Sequence, residues 1–254
     1  MNIKNTNLIT ESLLKRKSVR VFTEQKIDPE IKKMILECSI NAPTAGNQVM
    51  YTILDITDKD IKDELAILCD NQPFIAKADM VLVYAADFEK WYNMFKLVSD
   101  NTRKPGMGDL MLGVSDALIA AQNAVVAAES FGIGSCYIGD IMENGEKIKA
   151  LLNLKDYHFP IGMLVFGYPS EQQKNRKKPA RFDMKYIVHE NKYHQLADDE
   201  LKMMVSEREK ANGNVNFEFD AWCRAFYNRK YNSDFTKEMC RSVEMHMSKW
   251  DITK

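Results

Sequence analysis

The sequence predicts an α+β or α/β core of four or five strands, on three observations. Short β-branched or wholly apolar runs recur along the chain, stretches of helical apolar periodicity separate them, and breakers mark the junctions. Residues 10 to 16 read as a first helix, followed by the basic run Arg16 to Arg20. Asp28-Pro29-Glu30 is a helix start, with Asp28 as cap and proline at the first helical position. Ile31, Met34, Ile35 and Cys38 continue that helix until Pro43 ends it, and Thr44 to Asn47 forms a turn.

Val49 to Thr57 is a partly alternating strand, and Ile61 to Cys69 an amphipathic helix. Met80 to Ala86 is almost wholly apolar, as expected of a strand buried on both faces. An aromatic-rich stretch, Phe88 to Leu97, runs into a loop of breakers at 101–106, a natural mobile wall over a site. Asp109 to Phe131 is the longest helix, and its alanines suit close packing within the chain or against a second subunit. Gly132 and Gly134 terminate it. A strand over Ser135 to Ile141, a helix over Glu146 to Leu152 and a strand over Pro160 to Tyr168 complete the core. Beyond about residue 189 the chain is polar, helical and studded with aromatics.

A net charge of −1 excludes general attraction to nucleic acid or anionic membrane, so an anionic ligand requires a local cationic cluster. The most apolar stretch, Ala117 to Gly134, contains Gln122, Asn123 and Glu129, which argues against a membrane span. Met1 to Lys15 lacks the apolar core of a signal peptide, so a cytoplasmic location is expected. The five cysteines and four histidines show no metal-site spacing, and structural free thiols are expected.

Four segments are candidates for chemistry. In Arg16-Lys17-Ser18-Val19-Arg20, residues 16, 18 and 20 share one side of an extended chain. They could converge on a phosphate dianion, or form a solvated basic patch. The turn Asn41 to Gln48 exposes backbone groups and offers the amides of Asn47 and Gln48 to the polar edge of a planar ring. Gly132 to Asp140 is glycine-rich, but its glycines follow a helix and precede a strand, the reverse of a dinucleotide fingerprint. Gly139 would allow a ligand close to the backbone. Lys178-Pro179-Ala180-Arg181 is a further cationic element.

The order of these signals is more specific than any one of them. Arg-x-Ser-x-Arg, then Ala-Pro-Thr-x-x-Asn, an alanine-rich helix ending in Gly-Ile-Gly-Ser-x-Tyr-Ile-Gly, Gly-Tyr-Pro and Pro-x-Arg follow one another. From about residue 10 to 185 this pattern resembles the nitroreductase family of FMN enzymes.

The resemblance implies an α+β fold with a central mixed sheet flanked by helices, in an intertwined homodimer with FMN in two interface clefts. It implies a nitroreductase-like domain over 1–188 and a helical extension over 189–254, packed on the core or across the dimer. Carried onto this sequence, Arg16, Ser18, Arg20 and Arg181 would hold the FMN phosphate and ribityl chain. Lys17 or Lys15 would face the N1/C2 carbonyl edge of the flavin. Pro43, Thr44 and Asn47 would line the ring, while Ile138, Gly139 and Asp140 would set backbone against the flavin face near N5. NAD(P)H would be the hydride donor, and a nitroaromatic, quinone or free flavin the acceptor, in ping-pong turnover without a catalytic side chain. Asp140 departs from the small residue common there, and its carboxylate would disfavour an anionic reduced flavin. The rival readings are a flavin store or sensor without turnover, and a dehalogenase or flavin-degrading enzyme of the same fold.

Overall fold

The computed structural model describes residues 6–251, so the first five and last three residues lie outside it. In chain order the elements are α1 (Leu8–Lys15), α2 (Pro29–Ile40), β1 (Tyr51–Asp55), α3 (Lys59–Leu68), α4 (Phe74–Lys77), β2 (Met80–Asp87), α5 (Glu89–Lys96) and α6 (Met107–Ser130). They continue as β3 (Gly134–Ile138), α7 (Gly145–Leu151), β4 (His158–Gly167), α8 (Glu171–Asn175), α9 (Asp198–Ala211), α10 (Phe219–Phe226) and α11 (Asp234–Met247). The fold is α+β.

Local chemistry sets the element ends. The Asp28 side chain accepts from Glu30 N ahead of Pro29, and Asp58 caps α3 by accepting from Asp60 N and Ile61 N. The third strand stops at Ile138 instead of running to Ile141, because Gly139 adopts helical angles (φ −79°, ψ −20°) and Asp140–Met142 forms a 3₁₀ turn.

The four strands lie in the order β1-β2-β4-β3. β2 and β4 are central, and all eight residues of β2 are buried. Successive side chains alternate between two cores, as the pleat requires. Leu82, Tyr84, Leu164 and Phe166 meet α2 and the alanine face of α6. Val81, Val83, Met163 and Val165 meet α3 and α7 on the other side. The chain's own sheet is antiparallel in all three described pairings rather than mixed. Alternation reports the face a residue takes, and it is silent on strand direction.

By length and composition α6 is apolar enough to cross a bilayer, yet its contacts are those of a core helix. Leu110, Gly113, Ala117, Ala120, Ala124 and Ala128 are among its buried residues. Its other face leaves Met111, Leu112, Leu118 and Ile119 exposed.

The chain divides into two compact units: residues up to Arg176 together with those from Lys237, and Lys177–Thr236. In the first unit, the C-terminal helix is fastened over the start of α7. Gly145 N donates to Ser242 Oγ at 2.9 Å, Asn144 N donates to Glu238 Oε1 at 3.2 Å, and Arg241 reaches Glu146 at 2.7 Å. Trp250, 1% exposed, closes a third cluster with Met50, Phe88 and Phe159.

His246 is 3% exposed and lies edge-on to Phe159, and burial pushes its pKa down to about 4. A histidine with a depressed folded pKa contributes stability that is present above its ordinary value of 6.5 and lost as pH falls through about 4. We expect that acidification across this window costs about 3 kcal/mol through His246. Urea denaturation of wild type and His246→Gln should show this part of the pH dependence only in the wild type.

Candidate functional site

The basic segment leaves α1 at Arg16 and runs extended beside β3, anchored by Val19 N donating to Ser135 O at 2.9 Å. Glycines make this approach possible. A Cβ at Gly134 would lie 2.6 Å from Val19 Cγ2, and one at Gly167 would lie 2.8 Å from the Phe22 ring. Part of the glycine-rich run therefore serves packing. Ser18 and Arg20 border the Cys136 thiol, and Arg16 acts on it through its charge.

The Arg16 guanidinium lies 5.7 Å from the centroid of the Tyr137 ring and donates from Nη2 to Ser135 Oγ at 3.4 Å. Its Nε is buried without a hydrogen-bond partner among the described residues. Arg20 is exposed, with its guanidinium 5.9 Å from the centroid of the Phe74 ring. Lys17 turns away from these residues: its ammonium donates to Lys174 O at 2.7 Å and to Arg176 O. Cavities flank the segment, one of 360 Å³ beside Arg16 and one of 510 Å³ beside Arg20 and Phe74.

The turn after α2 leads into β1 at the opposite edge of the sheet. Pro43 and Asn47 are exposed and Thr44 is half-buried. Gly46 (φ +58°), Asn47 (φ +56°) and Val49 (φ +51°) are all left-handed. For β-branched Val49 that conformation costs about 1–3 kcal/mol and persists only under external constraint. Asp116 of α6 supplies it. This carboxylate, 2% exposed, accepts from Ala45 N at 2.9 Å and from Met50 N at 3.3 Å. Thr44 Oγ1 accepts from Val49 N, and Trp91 Nε1 donates to Gln48 O at 2.7 Å.

At the end of β3, Ile138 is buried and Gly139 is exposed. The negative φ of Gly139 imposes no need for glycine, and a Cβ there would touch nothing nearer than Met142 Cε at 4.0 Å. The backbone of this turn is open to close approach. The Asp140 side chain is engaged, accepting from Gln72 Nε2 at 2.8 Å.

One chain does not bring these parts together. The basic segment and β3 occupy one sheet edge, and the Thr44 turn enters the other. Glu129, which feels the charge of Arg16 and Lys17, and Asp116, which holds the turn, lie roughly 20 Å apart along α6 at about 1.5 Å of rise per residue. Arg181 belongs to the second compact unit. Arg103 is bound to Asp109 by two hydrogen bonds, of 2.6 and 3.0 Å, and so fastens its own loop to the start of α6. Sequence reasoning passed over Asp116, Gln72 and Glu143. An aspartate inside an alanine-rich apolar helix was the one available signal.

The nitroreductase family model matches residues 13–168. The FMN reductase (NADPH) of Bacillus subtilis (strain 168) is 31% identical over 254 residues, covering 91% of this chain and 97% of that protein. The Cr(VI) reductase of Pseudomonas sp. (strain G-1) is 30% identical over 220 residues, covering 85% and 89%. Among solved structures, the NfrA1 nitroreductase from Bacillus subtilis superposes with a TM-score of 0.74 at 28% identity, covering 91% of this chain and 98% of that one.

Proposed function

The chain belongs to the nitroreductase family, and from that premise we propose that it takes hydride from NAD(P)H and passes it, in ping-pong turnover, to a small acceptor. It is an NAD(P)H-dependent FMN oxidoreductase. The observation that carries the reading is the basic segment lying hydrogen-bonded along β3, beside an open glycine turn at the strand's end.

The residues present suit FMN. Arg16 keeps a buried Nε that is unpartnered among the described residues, a donor that a phosphate would satisfy, and Ser18 and Arg20 follow it along the same extended segment. A phosphate monoester carries about −1.5 to −2 charges near neutral pH, and a chain of net charge −1 has to gather local cations to hold it. Arg181 would join them. Gly139 leaves the Ile138–Asp140 backbone open for a flat ring to approach. Bound FMN supplies the hydride-transfer chemistry, while the protein binds, orients and sets the local charge.

The Pro43–Asn47 turn would complete the site from a second copy of the chain, since it enters the far sheet edge of its own. The exposed Met111, Leu112, Leu118 and Ile119 face of α6 supports such a homodimer. Nitroaromatics, quinones and free flavin all suit an open, flat site. The relative named an FMN reductase supports free flavin among them.

An anaerobic absorbance spectrum before and after NADPH or NADH tests the reading. We expect a flavin band that bleaches with at least one nicotinamide. A band that persists with both would favour storage or sensing, and a protein that takes up no FMN on reconstitution would overturn the proposal.

A further inference from the structure

Behind the open Gly139 turn lies a buried acid that cofactor binding does not use. Glu143 is 4% exposed, and its Oε1 has no hydrogen-bond partner among the described residues. The 3₁₀ turn sets Glu143 beside Asp140, with Glu143 N donating to Asp140 O at 3.0 Å. Both amide hydrogens of Gln72 are taken, one by Asp140 and one by Cys69 O at 2.8 Å.

Among the described residues, the charges that act most on Glu143 are acidic: Asp140 on its own turn, Asp70 beyond α3 and Glu238 on α11. The buried Cys69 thiol also borders the pair. Arg241, the cation nearby on α11, is held by Glu238 and Glu146. Burial first, and then the Asp140 charge, push the Glu143 pKa up to about 8. At neutral pH the buried Glu143 carboxyl therefore keeps its proton.

We propose that Glu143 and Asp140 form a proton relay that gives the acceptor the proton accompanying its hydride. This rests on the oxidoreductase reading above. As hydride from the cofactor reaches the acceptor, the Glu143 O–H bond breaks, its proton moves to Asp140, and a proton leaves Asp140 for the acceptor. A quinone thereby gains two electrons and two hydrogens. The pair is left as two carboxylates and takes its proton back from solvent. Asp140 stands at the open turn, and Glu143 acts through it, shielded from water so that the proton is kept until needed.

Glu143→Gln keeps the size of the side chain and removes the acid. The first readout is the infrared carbonyl band of a protonated carboxyl in the FMN-free protein at neutral pH. We expect it in wild type, lost as pH rises past about 8, and absent in Glu143→Gln. The second is reoxidation of the reduced holoenzyme by benzoquinone, which requires protons, against ferricyanide, which takes electrons alone. The quinone-to-ferricyanide rate ratio should fall roughly a hundred-fold in Glu143→Gln, and Asp140→Asn should lower it too. In wild type the ratio should drop above pH ~8 and in Glu143→Gln stay flat.

An unchanged ratio in either variant, or a carboxyl band that survives in Glu143→Gln, overturns the relay. A wild-type protein that no nicotinamide reduces sinks the oxidoreductase reading instead, and this proposal with it.

Discussion

Asp116→Ala loosens the whole turn from Ala45 to Met50 and costs the protein about 2–6 kcal/mol. The figure follows from the two backbone donors this carboxylate satisfies. An acceptor removed from a buried donor leaves the full desolvation cost of that donor, about 1–3 kcal/mol each. No other described group accepts from Ala45 N or Met50 N. The left-handed Val49 and Asn47 would then relax, because the strain they carry persists only while their neighbours over-determine it. Asp116→Asn should fall between, since it retains one acceptor oxygen and turns an amide donor toward the other backbone N–H. Denaturant midpoints measure the stability loss, and FMN retention in the same variants reports on the turn. A wild-type midpoint for Asp116→Ala would show that the turn stands without its carboxylate.

Arg16→Ala releases FMN. A charge-assisted hydrogen bond contributes about 1.5–3 kcal/mol, so loss of this guanidinium should raise the dissociation constant roughly ten- to a hundred-fold. Arg181→Ala should act in the same direction. Arg16→Lys should recover only part of the affinity, because an ammonium lacks the planar fork that suits a phosphate. Equilibrium dialysis against FMN reads the constant directly, and a denaturant curve separates weakened binding from a weakened fold. Full flavin retention in both alanine variants would place the phosphate elsewhere.

Much of the architecture is legible in the sequence. The Asp28-Pro29 helix start is where its chemistry put it, because a cap and the residues it serves lie within three positions. The continuous apolar run from Met80 became a strand buried on both faces. The basic run from Arg16 lies extended along β3, with Val19 N donating to Ser135 O. Lys17, adjacent in sequence, is drawn instead to two carbonyls near the end of α8.

The sequence by itself determined what neighbouring residues decide among themselves: helix caps, strand burial and a basic segment in extended form. Tertiary structure alone decided which edges face outward and which distant groups meet. It placed the Thr44 turn and the basic segment on opposite sides of an antiparallel sheet. It brought a helical aspartate under a strained turn, and a buried glutamate against Asp140. The reason is physical. Caps and periodicities arise from contacts within one or two turns of chain, whereas strand order and buried polar partners depend on which surfaces pack together, and no local pattern records that choice.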